Sequence, residues 1–238
     1  MSVYVYGIAA SAHPDLPENA AGIGDPPRPV RIVSQGRIKA LVSDAPEKIR
    51  PKRRDLLAHQ DVLRQAGESG PVLPLRFGGV SPDDETLLSV LAEKEEYYVE
   101  RLAALDGMVE YNLKATHDEE AVLYRVLSDD PALRESVEAG RRTGGGSHED
   151  KVRLGERVAQ AVQTREVQDA DLVRATLRNL SEEVSAGPKS VGWLANLSFL
   201  VARDRSAELV NAVDVIRQEN PHLVLTVTGP LPPYSFVE

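Results

Sequence analysis

The chain has 238 residues, of which 42% are hydrophobic and 27% charged. That is enough apolar material for one large core or two modest ones, and it argues against extended disorder. Its 28 Lys and Arg against 37 Asp and Glu leave a formal charge of −9, which disfavours nucleic acid and anionic lipid as partners. With no cysteine, disulfides, thiolate catalysis and Cys-ligated metals are excluded.

The opening residues carry neither a basic stretch nor a long apolar run, so no signal peptide is read there. No apolar run approaches the ~20 residues that span a bilayer. A cytoplasmic location is expected. Residues 3–9 alternate Val and Tyr and predict a strand; 13–29, rich in Pro, Gly and Ala, predict a surface loop. Val30–Val33 and Arg37–Ser43 predict a hairpin turning at Gly36. A helix is expected over 52–66, with Leu56, Val62 or Leu63, and Ala66 on its buried face. Val72–Phe77 reads as extended, and Pro74 favours a sheet edge or a bulge because it has no N–H to donate. Ser81 as cap and Pro82 at the first position start a helix that ends at Asp106-Gly107, where the domain boundary is placed.

Beyond it, 108–115 alternates as a strand, and Thr116 to Glu119 fits a capping box for a helix through Leu127. The polar stretch 128–147, ending in Gly144-Gly145-Gly146, reads as a disordered insertion. A long helix is predicted over 148–184, its stripe carried by Val152, Ala159, Val162, Val173, Leu177, Leu180 and Val184 and interrupted by Glu166 and Asp169. A strand around 197–201, a helix over 206–218 and a strand over 222–228 follow. The tail 229–238 is rich in proline and aromatics.

The expected fold class is α+β in two domains, 1–106 and 107–238. The element order of the second is that of a ferredoxin-like βαββαβ unit with an enlarged helical crossover. Chemistry-bearing motifs are missing: no dinucleotide fingerprint, no Walker A sequence, no nucleophile elbow and no His-Glu-x-x-His. The five histidines, His13, His59, His117, His148 and His222, show no metal-ligand spacing. No catalytic residue, cofactor or metal site is expected. The one basic run, 48–54, reads as a solvated loop and first helical turn, with binding of phosphate or an acidic partner surface as the alternative.

Three stretches carry a resemblance. Tyr4-Val5-Tyr6-Gly7-Ile8 opens the chain, Val72-Leu73-Pro74-Leu75-Arg76-Phe77-Gly78 follows the first helix, and Gly229-Pro230-Leu231-Pro232-Pro233-Tyr234-Ser235-Phe236-Val237 closes it. With Asn196 to Val201 they span nearly the whole chain, which resembles the GvpL/GvpF family of gas vesicle proteins. Gly79 stands where threonine is common in the family, and Leu231 where tryptophan is common.

The resemblance implies a non-enzymatic accessory or minor structural role in gas vesicle assembly. Its implied partners are the hydrophobic major shell protein and other gas vesicle accessory proteins. An acidic partner of such a shell subunit needs an apolar contact patch within a charged exterior. The tail, and the long helix from His148, are the candidate patches. Arg76, Phe77, Pro232, Pro233, Tyr234 and Phe236 are the candidate partner-binding residues, with Arg76 expected to pair with a carboxylate or with backbone carbonyls. The alternative is a ferredoxin-like regulatory protein that binds a small molecule, which would show a saturable thermal shift with a metabolite.

Overall fold

The computed structural model describes residues 1–17, 19–142 and 147–237. Among them the chain is mixed α/β, with two sheets and seven α-helices. It divides into two compact units, Met1–Glu110 with Gly229–Glu238, and Tyr111–Thr228.

The first unit is built on β1 (Val3–Ala10), β2 (Arg31–Gln35), β3 (Ile38–Asp44), α1 (Arg53–Ser69), β4 (Val72–Pro74), β5 (Val80–Ser81), α2 (Asp84–Glu93) and α3 (Glu95–Ala104). Its strand order is β2-β3-β1-β4, with β5 also on β1. β1 is buried without a break from Val3 to Ala9, so both sheet faces are covered there. Gly7 lies at a register irregularity of this strand. A Cβ on it would stand 2.8 Å from the Leu73 carbonyl oxygen and 2.8 Å from Leu63, so glycine lets β4 and α1 approach β1. Pro74 lies on β4, at the sheet edge, as its missing N–H requires.

Two helix expectations are corrected in this unit. The buried face of α1 is Asp55, His59, Val62, Leu63 and Ala66, whereas Leu56 is exposed. Polar groups lead this stripe because each is hydrogen-bonded: Gly24 N donates to Asp55 Oδ1 at 3.1 Å, and His59 is bonded to Tyr4. The helix expected from Ser81 starts at Asp84, capped by Asp83, whose carboxylate accepts from Thr86 N at 2.7 Å. It breaks at Lys94 into α2 and α3.

The unit division falls within β6 (Met108–His117), and again within β9 (Leu223–Leu231). The second unit continues with α4 (Glu119–Asp129), α5 (Pro131–Arg142), α6 (His148–Arg178), β7 (Glu183–Ala186), β8 (Ala195–Ala202) and α7 (Ser206–Glu219). Its strand order is β7-β8-β6-β9. Val109, Tyr111, Leu113 and Ala115 give β6 an apolar face at every second residue, and Leu197, Phe199 and Val201 do the same on β8.

The stretch expected to be disordered is largely helical. Asp130 accepts from Leu133 N at 2.9 Å, Pro131 takes the first helical position, and Leu133 is buried. Gly144, Gly145 and Gly146 lie outside the described residues. The helix expected to reach Val184 stops at Arg178, and Val184 instead pairs with Phe199 across β7 and β8. The Ser147–Asp150 capping box starts this helix.

The tail belongs to the first unit, not to the C-terminal domain in which the sequence alone groups it. Phe236 is buried (2% exposed) and Ser235 donates twice to the buried carboxylate of Glu110, at 2.8 Å from N and 2.8 Å from Oγ. Those bonds satisfy a carboxylate that burial would otherwise penalise.

Candidate functional site

The first candidate surface is an arch whose feet stand on β1. Leu75 N donates to Tyr6 O at 2.8 Å, and Val5 N donates to Gly79 O at 3.0 Å. Between them Arg76, Phe77 and Gly78 leave the sheet, and Gly78 has a φ of +100°, a conformation that glycine alone adopts readily. Buried rings hold the arch from beneath. His59 Nε2 donates to Leu75 O at 3.0 Å, so its Nδ1 is the acceptor for Tyr4 Oη at 2.9 Å. Tyr4 Oη in turn accepts from Gly78 N at 3.1 Å. Phe77 packs at ring-centroid distances of 5.7 Å from His59 and 5.9 Å from Tyr4.

Tyr6 does the same for the loop before β2. Ile23 N donates to its hydroxyl at 2.8 Å, and the hydroxyl is 2.9 Å from Ser43 Oγ. Burial pushes the pKa of both Tyr4 and Tyr6 up and that of His59 down, so all three are neutral near pH 7.

Tyr234 packs against the same core as Phe77. Burial, with the charge of Glu110, pushes its pKa up to about 12. Tyr97 Oη donates to Val237 O at 2.8 Å, and the Arg101 guanidinium donates to Phe236 O. Of the six expected partner-binding residues, Pro233 and Phe236 are buried, Phe77, Pro232 and Tyr234 are half-buried, and Arg76 is exposed. The pairing expected for Arg76 is absent: its guanidinium has no hydrogen bond or ion pair to any described residue. His59 hydrogen-bonds to Leu75 and Tyr4. In the basic run, Arg54 pairs with Asp25 at 2.7 Å.

The second cluster lies in the second unit, and the histidine spacing gave no hint of it. His117 ends β6, His222 directly precedes β9, and Asp169 sits on α6. His117 Nε2 is 2.8 Å and His222 Nε2 2.9 Å from Asp169 Oδ2. Arg165 donates to the same oxygen through Nε at 3.0 Å and lies 2.7 Å from Oδ1 through Nη2. Burial alone would raise the pKa of Asp169, which is 1% exposed; the bonds from Arg165 and His117 outweigh it and hold the carboxyl below its usual range. Burial lowers the pKa of His222 against the pull of Asp169.

Two signals in the sequence lead to this cluster. His117 continues the alternation of Val109, Tyr111, Leu113 and Ala115, and Asp169 stands one and two helical steps before Val173 and Leu177. Asp169 therefore lies on the buried stripe of α6 and does not interrupt it.

Comparison with known proteins shows the family of the chain. The family model described as gas vesicle synthesis protein GvpL/GvpF matches residues 2–238. The chain belongs to the GvpL/GvpF family. It is 63% identical over 238 residues to gas vesicle protein F of Streptomyces sp. (strain CB03234), covering 100% of both chains. To gas vesicle protein L of the same strain it is 31% identical, covering 98% of this chain and 91% of that one. The crystal structure of GvpF from Microcystis aeruginosa is 25% identical with a TM-score of 0.75, covering 100% of this chain and 99% of that chain. That of GvpF from Anabaena sp. PCC7120 is 25% identical with a TM-score of 0.78, covering 100% and 98%. A role associated with gas vesicles follows from membership of the GvpL/GvpF family. Among the described residues no helix is long and apolar enough to cross a membrane.

Proposed function

We propose that this protein is a non-catalytic cytoplasmic accessory protein of gas vesicle assembly that contacts the major shell protein, and other accessory proteins with it. The contact surface is the arch and the adjoining tail: Arg76, Phe77, Pro232 and Tyr234 meet the partner, while Pro233 and Phe236 anchor the tail. The second unit is a ferredoxin-like module; its helical crossover between β6 and β7 and its strand order β7-β8-β6-β9 support that reading.

One observation carries the contact surface. Arg76 is exposed and unpaired on an arch whose own backbone is fixed by Tyr4 and His59. A preorganised arch loses little conformational entropy when a partner docks. An unpaired arginine with an aromatic neighbour also has the composition of an interface anchor.

The test is co-purification with the co-expressed major shell protein, comparing the natural chain with Arg76→Glu and with Pro232→Ser. The natural chain is expected to hold the shell protein in solution, and Arg76→Glu to lose it with an unchanged melting temperature. Retention by Arg76→Glu would move the contact elsewhere. Failure of the natural chain to retain the shell protein would overturn direct contact with it.

A further inference from the structure

Three donors converge on one carboxylate oxygen in the second unit. Asp169 Oδ2 takes His117 Nε2 at 2.8 Å, His222 Nε2 at 2.9 Å and Arg165 Nε at 3.0 Å. A carboxylate oxygen offers about two lone-pair sites, so this one is oversubscribed. The two imidazole nitrogens and the carboxylate oxygen lie within 4.8 Å of one another. All three side chains are deeply buried, at 7%, 2% and 1% exposure for His117, His222 and Asp169. They are held on the end of one strand, the start of another and the middle of a helix.

We propose that His117, Asp169 and His222 form a binding site for a divalent first-row transition metal ion, of which zinc is the type. Two neutral imidazoles and one carboxylate are a donor set that suits zinc and cobalt(II). An ion between the two Nε2 atoms and Oδ2 replaces two imidazole N–H contacts with one metal–oxygen bond and relieves the crowding on Oδ2. Tetrahedral bonds of about 2.0–2.1 Å put donor atoms about 3.3 Å apart, so each Nε2 has to move about half an ångström from Oδ2 to admit the ion.

Arg165 keeps its place on the Oδ1 side of Asp169 as an outer partner that orients the carboxylate. Asp129, 3.5 Å from Arg165 Nη1, offsets part of the positive charge that the ion adds. Three protein ligands leave the remaining position to water. The ion would tie β6, α6 and the start of β9 together.

The full-length protein, stripped with a chelator and dialysed, is titrated with cobalt(II) and followed by visible absorption, then with zinc as competitor. One ion per chain with ligand-field bands is expected, and zinc at about a hundredfold excess over its Kd should raise the melting temperature by about 5–10 °C. His117→Gln and His222→Gln should each weaken binding about 100-fold or more, beyond the loss of an outer-shell partner. His148→Gln, at an exposed histidine, should leave binding unchanged.

If either histidine variant does not fold, long-range nitrogen NMR of the natural protein decides instead. Zinc should then move the Nε2 signals of two imidazoles, assigned to His117 and His222. No saturable cobalt binding, binding that survives both histidine substitutions, or zinc shifts confined to other histidines would each overturn the site.

Discussion

His59 in the first unit and the His117–His222 pair in the second both sit in buried polar networks, yet the two networks differ in charge. The groups hydrogen-bonded to His59 are neutral, and the buried Asp55 carboxylate on the same helix acts on Tyr4 and Tyr6 only through space. Tyr4 and the imidazole satisfy each other and the backbone of the arch, and Tyr6 satisfies Ser43 and the backbone of the loop before β2, so no member of the network carries a charge. Around Asp169 a buried carboxylate is held ionised by a guanidinium and two imidazoles. A neutral network loses about one hydrogen bond's worth of stability per deleted partner, whereas a charged one leaves an uncompensated ion when a partner is lost. The difference assigns the first network to holding the arch and makes the second a place where ionic composition matters.

The sharpest way to break the comparison is Asp169→Ala. It strands Arg165 and removes the acceptor of both histidines, and should cost about 3–5 kcal/mol in urea unfolding. A loss below about 1 kcal/mol would show that the two networks are equivalent. Next come Tyr4→Phe, which leaves His59 Nδ1 and Gly78 N without their partner, and Gly7→Ala, whose methyl meets the Leu73 carbonyl. Each should cost about 1–3 kcal/mol.

A pH series sharpens the contrast further. The folded pKa of His59 lies below its ordinary value because of burial, so its contribution is fully present above the unfolded pKa of about 6.5 and is lost as pH falls from there through the folded value. This one group should remove at most about 1.4 kcal/mol per pH unit below that point. Comparing melting of the natural protein and His59→Gln from pH 8 to pH 5 checks the sign, because the variant should start less stable and decline less steeply. The smallest effect is expected at Arg76→Ala, within about 0.5 kcal/mol by urea unfolding, since the side chain is exposed and unpaired. A larger loss would mean that Arg76 holds the arch and is not merely displayed by it.

Part of the arch was legible in the sequence. Pro74 favoured a sheet edge or a bulge, but the extended piece read through Phe77 ends at Pro74, where β4 stops. Its support was not legible, because nothing local marks His59 of α1 as the partner of Tyr4. Asp169 shows the same limit from the other side. As a charge within an apolar stripe it reads as an interruption, and only the neighbouring ends of β6 and β9, with their two imidazoles, make its burial tolerable.

The sequence by itself determined the family, through motifs spread along nearly the whole chain, most of the strands and helices, and the absence of familiar catalytic motifs. The elements rest on local spacing, caps and turn residues, which act over a few positions. The tertiary structure alone decided that Val184 leaves the helix for β7, that the tail closes on Glu110 in the first unit, and that His117, Asp169 and His222 meet. Each of those depends on partners about fifteen to more than a hundred residues away in the chain. Whether a polar group can be buried is fixed by the partner that reaches it in space, and that partner does not appear in its own neighbourhood of the sequence.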